Sequence, residues 1–380
     1  MHVLAFENQP TAFAGGQERS LFEVLNFLAG KGVNVSLCFQ QDGEMLEKYG
    51  MFLREAFCLA SRQLRRPFFP FLVDLVRLWS KSQARSWDVL YANQYSDTPI
   101  AAALGLLLGI PMVCHLRLPC PSYLSRQYRW GLMRCAQIIT ISNYTKNTYV
   151  NAGIPAERIS VVYNGIDVDA FTPAHASIEE RASDGPYRVA YFGRLCPVKG
   201  VEVLLRAFQL PALDALPVEL HMRGSVQSSF VGPEYLDHLQ QIAQPQIDRR
   251  VFFWPHCSDI RAELLKADLV VLPSTWEEPF GRVLIEAMAS GVPVVASNVG
   301  GIPEVLSPRF ADHLVPPGDA QALAAAISRF VTWRHTDRSL GAQSREWVVA
   351  NFSHSDRWNE VYSILLDVAR QAGANRRAGM

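Results

Sequence analysis

Two glutamates eight positions apart, Glu278 and Glu286, and two cations earlier in the chain, Arg194 and Lys199, are the side chains best suited to chemistry here. The cations lie in Gly193-Arg-Leu-Cys-Pro-Val-Lys-Gly200, behind the apolar run Tyr187–Phe192 and ahead of Val201–Phe208. Strand, glycine-bounded loop and helix in that order bring free backbone N–H groups to the same place as the two charges. Arginine offers a planar fork to phosphate oxygens and lysine a compact charge, so the pair suits a diphosphate. A surface turn with two solvated cations is the plainer reading.

The glutamates lie in Leu272–Ser297, LPSTWEEPFGRVLIEAMASGVPVVAS. An apolar strand, a Pro/Gly-broken loop holding Glu278, an amphipathic helix holding Glu286 and a second strand make a β-loop-α-β unit, whose ligands collect at the strands' carboxyl ends. Ionised carboxylates only accept hydrogen bonds, so beside a diphosphate they must engage other parts of the ligand, and vicinal hydroxyls fit. A sugar at one end and a ribose at the other would satisfy both, which implies a nucleoside diphosphate sugar. Retaining glycosidases also pair carboxylates, roughly 5 Å apart, but have no use for Arg194 and Lys199. Glu286 can also be read as a first-turn acid favoured by the helix dipole.

These loops need a frame, and the chain supplies one twice. His2–Phe6 (strand), a loop ending in Gly15-Gly16, a helix over 17–29 and the strand Val33–Phe39 make a Rossmann-like opening. Gly15-Gly16 is only a fragment of a phosphate-binding fingerprint, and a turn needing positive φ explains it as well. The strand Pro111–Cys114 ends at His115 and Gln137–Ile141 ends at Ser142, which puts both polar residues at the ligand edge of such a sheet. Asn164-Gly165 reads as a left-handed turn. From Tyr187 the pattern restarts. The expected organisation is an N-terminal Rossmann-like domain over 1–170, a linker over 171–186, a second such domain over 187–352 and a final helical segment, 353–380, returning to the first. The fold class is α/β, two doubly wound domains facing a central cleft.

Composition narrows the function classes. Thirty-six acidic and thirty-six basic residues cancel, which removes any global attraction to nucleic acid. Seven cysteines without a CxxC pair fit a reducing cytoplasm, and the N-terminus has no signal-peptide pattern. The apolar run Ile100–Cys114 is too short and too broken by Gly105, Gly109 and Pro111 to span a membrane. No carboxylate cluster or Cys/His set suggests a metal. One stretch is biased: Ser61–Arg85 sets Arg62, Arg65, Arg66, Arg77, Lys81 and Arg85 against a single acid, Asp74, with Phe68, Phe69, Phe71, Leu72, Leu75, Leu78 and Trp79 interleaved. It reads either as a peripheral contact with an anionic membrane or as an ordinary helix with its apolar face in the core.

Taken together, GGxER at Gly15–Arg19, His115, Ser142, NGID at Asn164–Asp167 with Phe171, GRLxxxKG at Gly193–Gly200, E-x7-E at Glu278–Glu286, GVPVVAS at Gly291–Ser297 and GG-x-x-E at Gly300–Glu304 resemble the retaining glycosyltransferases of family GT4 with the GT-B fold. The resemblance covers nearly the whole chain. It implies that Arg194 and Lys199 bind the donor diphosphate and neutralise the leaving group, that Glu278 meets the donor sugar with His115 beside it, and that Glu286 meets the ribose. Gly16 would meet the phosphates or, with Gly15 and Ser142, the acceptor. Phe280 and Gly281 complete the donor loop, since Pro279, where many members carry glycine, has no N–H to offer. It implies no metal and no cofactor beyond a UDP- or GDP-sugar. The acceptor would be a hydroxyl on a carbohydrate or lipid-linked molecule, at work in the cytoplasm or on the membrane's inner face. A soluble small-molecule acceptor, or a GT-B epimerase or non-catalytic nucleotide-sugar binder, stays open.

Overall fold

The computed structural model describes residues 1–11, 16–63, 68–83, 86–173, 185–227, 231–257 and 259–378, and the backbone alone for 375–378. By internal contacts the chain divides into Met1–Asn164 together with the segment from Ser355 onward, and Gly165–His354. The residues after Asn164 belong with the second unit because Ile166 N donates to Phe352 O (2.9 Å) and His354 N to Ile166 O (2.9 Å). Of the expected linker, 174–184 lie outside the described residues.

The first unit is a parallel sheet of β1 (His2–Phe6), β2 (Asn34–Phe39), β3 (Glu55–Cys58), β4 (Val89–Ala92), β5 (Met112–Leu116), β6 (Gln137–Thr140) and β7 (Ile159–Val161) in the order β3-β2-β1-β4-β5-β6-β7. β1, β4 and β5 are buried throughout, as their unbroken apolar runs require of strands covered on both faces. Its first helices are α1 (Gly16–Gly30), α2 (Leu46–Tyr49), α3 (Phe69–Gln83), α4 (Thr98–Leu108), α5 (Arg126–Leu132) and α6 (Asn143–Asn151). The helix His354–Ala378 belongs here as well. Its Trp358, Val361, Leu365 and Val368, spaced three and four apart, join the core of Val3, Leu25 and Tyr91.

The second unit is a parallel sheet of β8 (Tyr187–Phe192), β9 (Val218–Arg223), β10 (Val251–Trp254), β11 (Leu269–Leu272), β12 (Val294–Ser297) and β13 (Leu314–Val315), ordered β10-β9-β8-β11-β12-β13. In each sheet the winding reverses once, between β1 and β4 and between β8 and β11. The loops leaving those strands diverge there and open a crevice, the place where doubly wound sheets bind ligands.

Candidate active site

The loop after β8 is anchored by its backbone: Gly193 N donates to Arg223 O (3.1 Å) and Leu195 N to Ser225 O (3.0 Å), with Leu195 and Cys196 buried. Tyr191 Oη donates to Arg194 O at 2.7 Å. A 3-10 turn, Pro197–Lys199, then brings Lys199 round, and Gly200, at φ 68°, passes the chain into the helix Val201–Ala207. A Cβ on Gly200 would lie 1.7 Å from Pro273 O, so no other residue permits this passage beside the exit of β11.

The loop after β11 is stitched to the first by Thr275 N donating to Val198 O at 3.0 Å. Glu278 is set by its own backbone, its N–H on Trp276 O (2.8 Å) and its carbonyl taking Gly301 N (2.8 Å). Its Oε2 receives Lys199 Nζ, Ser274 Oγ at 3.3 Å and Trp276 Nε1 at 3.3 Å. The Lys199 and Glu278 side chains are 12% and 14% exposed, which leaves the ammonium within reach of a ligand. One of its three N–H donors serves Glu278, and the other two point to its capacity for phosphate oxygens. The cation loop and the carboxylate loop, paired in the sequence reading, meet in the fold at Lys199 and Glu278.

Arg194 is half-buried on the same loop. Glu286 lies one turn into the helix Arg282–Ala289, buried, with Arg282 Nε donating to its Oε1 at 3.2 Å. Gly281, left-handed at φ 84°, opens that helix. Phe280 is 2% exposed with its ring edge-on to Phe352 at 5.7 Å. Its side chain is core, and only its backbone can serve a donor.

In the first unit His115 is fully buried. Tyr91 Oη lies 2.5 Å and Arg117 Nη2 3.4 Å from its Nδ1. A guanidinium only donates, so Nδ1 accepts and the proton sits on Nε2. Burial and then Arg117 hold the imidazole well below its ordinary pKa, and its burial pushes the Tyr91 phenol up to about 12. His115 is thus a neutral N–H donor rather than a base. Its Nε2, Asn93 Nδ2 and Glu7 Oε1 are buried without a hydrogen-bond partner among the described residues. Arg117 joins this group, donating to Asn93 (2.9 Å) and to Asn164 Oδ1 (3.3 Å). Glu7, Asn93 and Arg117 escaped the sequence reading, although each is a polar residue just past a buried strand, β1, β4 and β5.

Burial and the neighbouring Glu18 raise the Glu7 carboxyl well above its ordinary range, against the pull of Tyr49, Arg117 and Arg62. A carboxyl raised on folding is fully compatible with stability below its unfolded pKa and loses stability as pH rises through the folded value. Glu7→Gln should therefore gain melting temperature over wild type as pH increases from 5 to 9. Calorimetry across that range tests this; a gain independent of pH would disprove it.

The remaining expected positions have the following settings in the fold. Ser142, expected at an acceptor, is fully buried and caps α6: its Oγ accepts Thr145 N (3.1 Å) and donates to Thr145 Oγ1 (2.9 Å). Gly16 is exposed and opens α1, and Gly15 lies outside the described residues. Asn164-Gly165 needs no left-handed backbone, since neither residue has positive φ. Gly165 is small because His354 Cα lies 2.5 Å from where a Cβ would stand. Arg62 is no surface cation: it is buried on Asp97, with Asn8 Oδ1 at 2.7 Å. No group of three His, Cys, Asp or Glu among the described residues is arranged to hold a metal ion.

Two family models match, glycosyltransferase family 4 over residues 14–170 and glycosyl transferases group 1 over 176–347. Among curated proteins, spore coat protein SA of Bacillus subtilis is 29% identical over 255 residues, 61% of this chain and 64% of that protein. The GDP-mannose-dependent alpha-(1-6)-phosphatidylinositol monomannoside mannosyltransferase of Mycobacterium tuberculosis is 29% identical over 249 residues, 62% of each. The matched stretches thus span less than two thirds of these relatives' lengths. Anabaena Alr3699/HepE, solved in complex with UDP, superposes with a TM-score of 0.82 at 23% identity, over 97% of this chain and 100% of that one.

Proposed function

We propose that this chain, which belongs to the GT4-type glycosyltransferases with the GT-B fold, moves a hexose-type sugar from a UDP- or GDP-sugar to an acceptor hydroxyl with retention at the anomeric carbon. The observation that carries the reading is the Lys199–Glu278 pair at the β8/β11 switch point, with Arg194 on the same loop. A cation next to a carboxylate reads the junction of a nucleotide sugar, phosphate on one side and sugar hydroxyls on the other.

In this mechanism Arg194 and Lys199 hold the diphosphate, Glu278 accepts hydrogen bonds from the donor sugar and Glu286 from the ribose. The backbone of Phe280 and Gly281 lines the donor loop, and Gly16 serves the phosphates or the acceptor. As the bond from the anomeric carbon to phosphate oxygen breaks, negative charge grows on the diphosphate and the two cations stabilise it. The acceptor oxygen bonds the same face, and its proton passes to the departing phosphate oxygen. His115, protonated on Nε2, donates to a sugar oxygen and takes no proton itself. Two resident cations supply what a metal would otherwise supply. The acceptor is a carbohydrate or lipid-linked hydroxyl, in keeping with the phosphatidylinositol-based acceptor named for the mycobacterial relative, and the seven free cysteines fit a cytoplasmic setting.

Thermal shift against UDP- and GDP-sugars in EDTA tests the donor. One nucleotide series should raise the melting temperature, by about 2.7 kcal/mol of stabilisation at a hundredfold excess over Kd. Indifference to every nucleotide sugar would refute the reading. Product analysis with a cell extract then separates transfer, which yields an enlarged α-linked product, from epimerisation, which only rearranges the donor.

A further inference from the structure

Helix α3 carries its polarity the wrong way round for a helix facing water. Its inward side holds Phe71, Asp74 and Leu78, all buried, while Phe69 (73% exposed), Leu72, Val73, Val76 (61% exposed) and Trp79 face out. Those five follow the three- and four-residue spacing of one helical face. Asp74 points inward for a reason: its Oδ2 accepts the backbone N–H groups of Ala60 (2.7 Å) and Ser61 (2.8 Å) and fixes the preceding turn. The single acid of Ser61–Arg85 is thereby withdrawn from the surface, and Arg77 and Lys81 remain exposed beside the apolar face. Leu106 and Leu107, at the end of the packed neighbour α4, are exposed as well. Single exposed apolar residues are ordinary, but a continuous apolar face flanked by cations marks a binding surface.

We propose that the outer face of α3 docks on an anionic lipid bilayer. Phe69, Leu72, Val73, Val76 and Trp79 enter the boundary between headgroups and acyl chains, and Arg77 and Lys81 meet lipid phosphates. The helix lies on the membrane and does not cross it: at fifteen residues it measures about 22 Å, and no helix among the described residues is long and apolar enough to span. A second copy of the chain is the poorer occupant, because α3 exposes no carboxylate that could meet Arg77 and Lys81 across a two-fold contact, its one acid, Asp74, being buried. The proposal stands apart from the glycosyl-transfer reading, since docking needs neither donor nor acceptor.

Flotation of the full chain with phosphatidylcholine vesicles containing about one third phosphatidylglycerol tests it. Wild type should float with these vesicles, less with added salt, and poorly with phosphatidylcholine alone. Leu72→Glu/Val76→Glu, both side chains pointing to solvent, should weaken binding at least about tenfold with an unchanged melting temperature. Lys81→Gln should weaken it about fivefold and flatten the salt dependence. Wild type that floats with neither vesicle, or a double variant that binds as wild type does, overturns the proposal. So does a wild-type dimer that the double variant converts to monomer without any vesicle binding.

Discussion

Lys199→Met is expected to lower kcat/KM by about 10²–10³-fold, or about 2.7–4 kcal/mol of transition-state stabilisation, the usual loss when one preorganised charge is taken from a developing anion. Methionine keeps the length of the stem and its packing near Trp276, whose ring centre lies 5.5 Å from Nζ. The substitution therefore removes the charge and little else from the loop. It also leaves the Glu278 carboxylate with Ser274 and Trp276 but without its cation, and a mostly buried acid without a counter-charge destabilises the fold. Lys199→Met/Glu278→Gln separates the two consequences: the second change should restore the melting temperature and leave transfer abolished. Full transfer by either single variant, in an assay of nucleoside diphosphate release, would remove both residues from the site.

Gly200→Ala should be the most damaging single methyl group that can be added to this site. The position requires φ 68° and its Cβ would stand 1.7 Å from Pro273 O. Left-handed backbone costs an alanine about 1–2 kcal/mol, and the collision must also be relieved by moving the β8 loop away from β11. Both loops end on backbone bonds rather than on flexible side chains, so a total loss of about 2–4 kcal/mol is expected. Because Lys199 precedes the strained residue, its ammonium moves off Glu278. The variant should melt several degrees lower and lose the thermal shift from nucleotide sugars. A variant with an intact donor shift would show that the loop does not need this passage.

Much of the site could be read from the sequence because its parts are local. A buried parallel strand is an unbroken apolar run, and the residues that end it, His115 after Met112-Val-Cys114 or Gly193 after Phe192, declare the ligand edge. Arg194, Lys199 and Glu278 lie in loops that follow such runs and Glu286 one turn into the helix beyond, and the doubly wound order of both units follows from the same pattern. Positions whose role is settled by burial and local capping, or that lack any periodicity, are not legible in this way. Ser142 reads as a strand-end polar residue, yet it is buried, and its hydroxyl donates to Thr145 Oγ1 and accepts Thr145 N as the cap of α6. The edge strand β3 is only four residues long, with two of them exposed, and it has no periodicity to announce it.

The sequence by itself determined the two sheets, the glycine-bounded loops at their carboxyl ends and the side chains those loops carry, since each follows from short-range pattern and turn chemistry. Tertiary structure decided which of those side chains meet. Lys199 and Glu278 are 79 positions apart and touch because the sheet order sets β11 against β8 at the point where the winding reverses. It also decided the sense of α3. A segment with large apolar residues on every side can bury either face, and the choice fell to Asp74, whose carboxylate is held at the backbone of Ala60 and Ser61 and so turns Phe69, Leu72, Val73, Val76 and Trp79 outward.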